Sequence, residues 1–307
     1  LITLTWDVRF SAEIIDKLPL EQARILLYEL EEGKSAEVLI ELDEDLRATF
    51  LEDYTGDEIA KELVDNLDSD DAADLINELN DERRKDVLSH IENPETAREI
   101  ANLLVYDEDT AGALMATELI KVNLNWTVMH CVKEMRRQAE NVEHVHSIYV
   151  VDDFNKLLGT LSLKKLLTTS TKTPIEEVYT KNVRCIEATE SAEEVALTMQ
   201  KYDMVVLPVV NAVGHLLGRI TIDDVIDYIR EEAKEDYAFA SGLTEDVETD
   251  DSILTITRAR LPWLLIGLVG GLGAASVIGR YEIQLDALPK MAFFIPSSAS
   301  SKIMFIS

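Results

Sequence analysis

The chain is 307 residues long, 47% hydrophobic, and carries 59 acidic against 29 basic side chains, a formal charge of -30 at pH 7. That length suffices for several compact units and that apolar content fills cores, so the acidity belongs to folded surface and not to a disordered acidic tail. A surface so negative repels phosphate backbones and anionic lipid, which excludes nucleic-acid binding and leaves cations or basic proteins as partners.

The two cysteines, Cys131 and Cys185, lack paired-ligand spacing, and their apolar neighbours predict burial in a reducing compartment. No Walker loop, dinucleotide fingerprint, nucleophile elbow or Cys-x-x-Cys pair is found, so no catalysis is expected. The chain opens on Leu1 with no signal peptide, and its true N-terminus is expected upstream.

From Leu18 to Ile91 an apolar residue, an acidic or capping residue and a short helical pattern recur at Leu18, Leu30, Leu42, Tyr54, Leu67, Leu79 and Ile91. The period is about twelve residues. Helices so short are unstable alone, so each must bury its apolar stripe on its neighbours, predicting an all-α superhelical domain over residues 1–114.

From Met115 to Arg230 the pattern changes to strand, helix, strand, turn, strand, helix, and occurs twice, giving units at 115–172 and 173–230. IYVVD (148–152) aligns with LPVVN (207–211) and LLGTLS (157–162) with LLGRIT (216–221), the shared glycines being Gly159 and Gly218. A strand ending in Val-Val, a polar turn, Leu-Leu-Gly, another strand and a helix opening after Ser or Thr resembles the cystathionine-β-synthase (CBS) domain. Such domains occur in tandem and imply an α/β pair.

An acidic linker and connecting helix are expected over 231–260. The uncharged run LPWLLIGLVGGLGAASVI (261–278) then has about the length of a bilayer-spanning helix. Arg258 and Arg260 flank its first end and Trp263 suits the interface, so the positive-inside rule puts residues 1 to about 260 in the cytoplasm. Gly267 and Gly271 form a GxxxG pair that permits close helix packing. A buried soluble helix is the alternative.

Acidic helices, CBS pair, acidic linker and membrane span, in this order, resemble the MgtE family of magnesium channels. Local support comes from YDEDTAGALM (106–115), KYDMVVLPVV (201–210), ITIDDVIDYIREEAKED (220–236), ARLPWLL and MAFFIP. The fold class implied is multidomain: an all-α superhelical N domain, an α/β CBS pair and an α-helical transmembrane domain. The family's second membrane helix would begin near MAFFIP, but SSASSKIMFIS follows, so the transmembrane part (261–307) is expected to be truncated.

Mg2+ is a small, hard cation that prefers oxygen ligands and keeps much of its water, so one or two carboxylates from each of two surfaces make a regulatory site. Asp70 and Asp74 are i,i+4 on a predicted helix, as are Asp223 and Asp227, with Asp224 one position round. The resemblance places Mg2+ sensors at Asp70 and Asp74 facing Asp224, and at Glu37 facing Glu232, Glu235 and Asp236. It places further ones at Asp203 with Asp227 and at Glu193, beside which Ser191 replaces a family carboxylate. At an effective dielectric of about 20, two charges 4 Å apart repel by roughly 4 kcal/mol, so the facing domains would separate at low Mg2+ and close when it bridges them. Closure would shut a homodimeric pore assembled through the CBS and membrane domains, in the cell membrane, with lipid at residue 261 onward.

CBS pairs also bind adenine nucleotides through a T/S-x-x-D motif. The first copy has Ser162 with Lys165 in place of Asp, the second Thr221 with Asp224. ATP would fall to Lys164, Lys165 and Met204, and the alternative function is a nucleotide-sensing CBS module acting on a membrane partner. His144 and His146 alternate before SIYVV, a spacing read as surface strand ahead of a metal site.

Overall fold

The computed structural model describes residues 7–30, 33–139, 142, 145–240 and 253–280. They fall in two compact units, one ending at Ile226 and the other beginning at Asp227.

The first unit opens with short helices: α1 (Val8–Asp16), α2 (Leu20–Tyr28), α3 (Lys34–Ile40), α4 (Glu44–Leu51), α5 (Gly56–Glu58), α6 (Ser69–Asn77), α7 (Asp81–His90) and α8 (Pro94–Leu103). The recurring apolar residue sits in the turn just before a helix, where it packs down and sets the entry angle of the chain. Leu42, Tyr54, Leu79 and Ile91 are buried there, and Leu18, Leu30 and Leu67 pack against the same core. Side-chain caps follow: Thr55 and Glu58 form a reciprocal capping box, and Asn80 and Asn93 accept from the first turns of α7 and α8. Beyond α5 the helix widens into a π turn over Ile59–Leu63 and tightens again over Val64–Asn66.

Arginines close the other ends. Arg47 on α4 donates to the carbonyls of Ile40 (2.6 Å) and Leu42, while Arg84 on α7 donates to Asn77 (2.8 Å) and Leu79. Arg83 reaches back to Leu51 and Tyr54, both at 2.7 Å. Each guanidinium satisfies carbonyls that a helix C-terminus leaves unpaired and binds one short helix to another. α1 packs on α2 and α3, α5 on α7, and α6 on α8, so short helices gain stability from their neighbours.

Two similar α/β halves follow. The first contains β1 (Ile120–Asn123), α9 (Val128–Gln138), β2 (Ile148–Val151), β3 (Leu157–Leu161), α10 (Leu163–Thr168) and β4 (Thr180–Lys181). The second contains β5 (Ile186–Glu187), α11 (Ala192–Tyr202), β6 (Val206–Val210), β7 (Leu216–Thr221) and α12 (Ile222–Ala240). Sheet orders are β1-β2-β3-β4 and β5-β6-β7. The first pair in each is parallel and the rest antiparallel, and the register slips at equivalent places, Val150/Val151 and Val209/Val210.

The two hairpin turns interlock. Leu157 donates to the carbonyl of Gly214 and Leu216 to that of Asn155, both at 3.0 Å, with Asn155 (φ 63) and Gly214 (φ 89) in the left-handed region.

Before entering the first half, the chain leaves α8 and pairs with the second. Ala111 and Gly112 donate to Glu190 and Ala188, and Ala116 exchanges two hydrogen bonds with Arg219 on β7 (2.9 and 2.8 Å). The helical domain and the second half therefore share one apolar core through Ala111 and Met115, while the first half has its own around Ile148, Val150 and Leu161.

Cys131 is buried, its thiol pushed up to about 11 by desolvation, but Cys185 is exposed, against expectation. Its neighbour Ile186 takes the buried first position of β5. His144 lies outside the described residues; His146 is exposed and precedes β2, which begins only at Ile148.

The second unit holds the rest of α12 and α13 (Ile253–Arg280). Leu264, Ile266, Leu268, Val269, Leu272 and Val277 on α13 are exposed. Among the described residues no helix is long and apolar enough to cross a membrane. The side chain of Ile278, at the end of the span expected over 261–278, and the MAFFIP segment lie outside the described residues.

Candidate functional site

Acidic side chains collect where the N-terminus of α6 meets β7 and the start of α12. α6 opens with Asp68, Ser69, Asp70 and Asp71, because polar and acidic residues favour the free N–H groups of a first turn. Asp68, at the capping position, accepts no helix N–H. Its Oδ2 instead accepts from the Arg219 guanidinium at 3.1 Å, and Arg219 also donates through Nε to the carbonyl of Glu118 at 2.8 Å. The capping task passes to Glu118, whose Oε2 accepts from Ser69 N (3.2 Å) and Oγ (3.0 Å). Ser69 Oγ also accepts from the backbone N–H of Thr117 at 2.8 Å. α6 is thus fastened to the 117–118 segment by polar contacts, with Ser69 and Arg219 buried.

Asp224 faces this seam from the first turn of α12. Thr221, just before the helix, donates both its N–H (2.8 Å) and its hydroxyl (2.7 Å) to Asp224 Oδ2. These two bonds fix the orientation of the carboxylate.

The charges feel one another. Burial, then Asp71, Asp224, Asp68 and Glu118, push the Asp70 carboxyl well above the carboxylate range. Burial, then Asp224, Asp74, Asp68 and Glu41, push Asp71 up to about 7. Burial also raises Asp224, opposed by the Thr221 hydrogen bonds and by Arg219. Burial is the largest cause at all three, and for Asp70 and Asp71 the neighbouring carboxylates add to it. Among the described residues no three His, Cys, Asp or Glu side chains stand close enough to hold a bare metal ion.

The expected trio of Asp70, Asp74 and Asp224 is brought together only in part. The Asp224 charge bears on both Asp70 and Asp71, whereas exposed Asp74 bears on Asp71. Sequence reasoning missed Asp71, Asp68, Glu118 and Arg219. The i,i+4 spacing singled out Asp70 with Asp74, although Asp71 with Asp74, at i,i+3, are equally neighbours on a helix.

The other expected residues are scattered. Glu37 is exposed in the first turn of α3, Glu193 in that of α11, and Asp203 is the exposed left-handed cap of α11 (φ 48). In the second unit Asp227 accepts from Arg230 at 3.1 Å, Glu232 is exposed, and the side chains of Glu235 and Asp236 lie outside the description. Lys164 and Lys165 are exposed on α10, and Met204 packs against the shared core.

Family models for the MgtE intracellular N domain and for the CBS domain match residues 8–109 and residues 111–171 and 175–231. Magnesium transporter MgtE of Enterococcus faecalis is 36% identical over 201 residues, 66% of this chain and 44% of the relative. Its namesake in Thermus thermophilus is 35% identical over 206 residues, 66% of this chain and 46% of the relative. The chain thus spans about half the length of these curated relatives. A crystal structure of the cytosolic domain of the Mg2+ channel MgtE in complex with ATP superposes with a TM-score of 0.68 at 32% identity, covering 74% of this chain and 92% of that one. The helical domain, the paired CBS halves and these relatives together establish that the chain belongs to the MgtE family.

Proposed function

We propose that this chain is the ion-sensing part of an MgtE-type magnesium transporter, and that Mg2+ acts on it as a regulatory ligand. The observation that carries the reading is the meeting of Asp70 and Asp71 on α6 with Asp224 on α12: burial raises all three carboxyls, and the Asp224 charge raises Asp70 and Asp71 further. Hydrated Mg2+ between them would replace repulsion by attraction and favour the closed seam, a population shift toward the state that binds it. Glu37, Glu193, Asp203, Asp227, Glu232, Glu235 and Asp236 are proposed as further contacts on family resemblance. The uncharged run 261–278 is proposed, on family resemblance, as the start of a membrane domain, with residues 1 to about 260 in the cytoplasm and the segment before the run as the link to a pore. Two chains would pair through their CBS and membrane regions; the function is transport and regulation, not catalysis.

The test is a Mg2+ titration of the full chain from micromolar to about 20 mM, following scattering and hydrogen exchange at the Ser69 and Thr117 amides. Compaction with slower exchange is expected, abolished in the Asp70→Asn, Asp71→Asn, Asp224→Asn triple variant. No Mg2+ response, with ATP instead protecting the CBS halves, would favour the nucleotide-sensing module, which draws support from the ATP complex of the similar structure.

A further inference from the structure

The two CBS halves finish the outer edges of their first strands differently. Leu124 donates its N–H to the Val151 carbonyl just past β1, and Ala188 donates to Val210 just past β5, so Lys121 and Cys185 hold equivalent places. Alternation along a parallel pair turns the N–H and C=O of both away from the sheet. In the first half a side chain closes this edge: Gln138, the last residue of α9, accepts from the Lys121 N–H through Oε1 (2.9 Å) and donates to the Lys121 C=O through Nε2 (3.0 Å). The amide stands where a neighbouring strand would stand. In the second half the last residue of α11 is Tyr202, whose single hydroxyl cannot serve both groups. Its ring lies against the Arg184 guanidinium instead, 4.5 Å from the centroid. Among the described residues no hydrogen bond reaches the backbone of Cys185, which is exposed beside the edge strand of its sheet. A groove of about 550 Å³ passes this point, lined by β5, α11 and the β6–β7 turn. Its charged side chains are Glu187, Glu190, Glu194 and Lys156, three negative against one positive.

We propose that the open edge at Cys185 is a strand-addition site for an extended basic segment of a partner protein. The segment's backbone would pair with the N–H and C=O of Cys185, and its lysine or arginine side chains would meet Glu187, Glu190 and Glu194. An uncapped strand edge is a template for another chain, and the first half shows what closing it takes. In strand addition the backbone bonds supply affinity, while the charged walls of the groove select which segment is taken. Neither the edge nor the groove involves the carboxylates of α6 and α12 assigned to Mg2+.

The experiment is a titration of the full chain with a fluorescein-labelled peptide of alternating valine and lysine, followed by anisotropy and by hydrogen exchange at the Cys185 amide. Saturable binding that slows Cys185 exchange at least tenfold is expected. Affinity should fall at least tenfold in Tyr202→Gln, which restores the amide found at Gln138, and in the Glu187→Gln, Glu190→Gln, Glu194→Gln triple variant. The same peptide N-methylated at every residue keeps its charge but loses its backbone donors, and should not bind. Absence of saturable binding would overturn the site. So would equal binding of the N-methylated peptide, which marks adsorption of a cation to an acidic surface. A wild-type dimer that Tyr202→Gln abolishes would also overturn it, because a second copy of the chain would then cover the edge.

Discussion

Thr221 donates its N–H and its hydroxyl to the same oxygen of Asp224, at 2.8 and 2.7 Å. Both bonds favour the ionised carboxylate and work against the burial that raises its pKa. Replacing the hydroxyl by a methyl in Thr221→Val keeps the shape and removes one of the two bonds.

The expected result is a loss of about 1–2 kcal/mol in thermal stability. Asp224 should also become harder to ionise, weakening the Mg2+ response at pH 7 more than at pH 8.5. Isothermal titration at the two pH values checks this: a deficit that does not shrink at higher pH would show that Thr221 acts only on the helix start.

The seam has a pH sign of its own. Asp70, Asp71 and Asp224 are all raised above the unfolded carboxylate value, so the folded chain binds more protons there than the unfolded one. Their contribution to stability is full below the unfolded value of 3.8 and is lost as pH rises through the folded values, which for Asp71 is about 7. Between about pH 7 and pH 4 a proton should therefore do part of what Mg2+ does. Amide exchange at Ser69 and Thr117, corrected for intrinsic rates, should slow as pH falls through this window without Mg2+. Asp71→Asn should raise the Mg2+-free melting temperature at pH 8 and change it little at pH 5. Equal effects at both pH values would mean that Asp71 is not the titrating group.

The repeat in the helical domain was legible because each apolar residue from Leu18 to Ile91 occupies the same place, the turn before a helix. The doubled CBS pattern was legible because β2–β3 and β6–β7 repeat residue for residue down to the glycines. The partner of α6 was not legible. Whether Asp70 or Asp71 faces Asp224 depends on how α6 docks, and docking is set by contacts such as Asp68 with Arg219, 151 residues apart in sequence. Nothing local marks Arg219 in LLGRIT as a cross-domain cation rather than an ordinary strand residue. Cys185 was misplaced for a related reason: its apolar neighbour Ile186 takes the inward first position of β5, and the residue just before that strand stays exposed.

The shared glycines mark two close backbone approaches that single substitutions should separate. A Cβ on Gly218 would lie 2.6 Å from the Ala116 carbonyl oxygen and press on Met115, while one on Gly159 would collide with the Thr180 carbonyl and the Tyr179 ring. In both cases the obstacle includes backbone, which cannot rotate away as a flexible side chain can. Each alanine variant should lose roughly 1–3 kcal/mol by overpacking. The local effects should differ, because Gly218→Ala pushes the connecting segment off β7, whereas Gly159→Ala disturbs only the β3–β4 edge of the first half. Amide exchange should therefore accelerate at Ala116 and Arg219 in Gly218→Ala, and at Thr180 and Lys181 in Gly159→Ala. If Gly159→Ala also freed Ala116, the two halves would be coupled more tightly than their interlocked turns and the small shared cluster of Tyr149, Val151 and Leu216 imply.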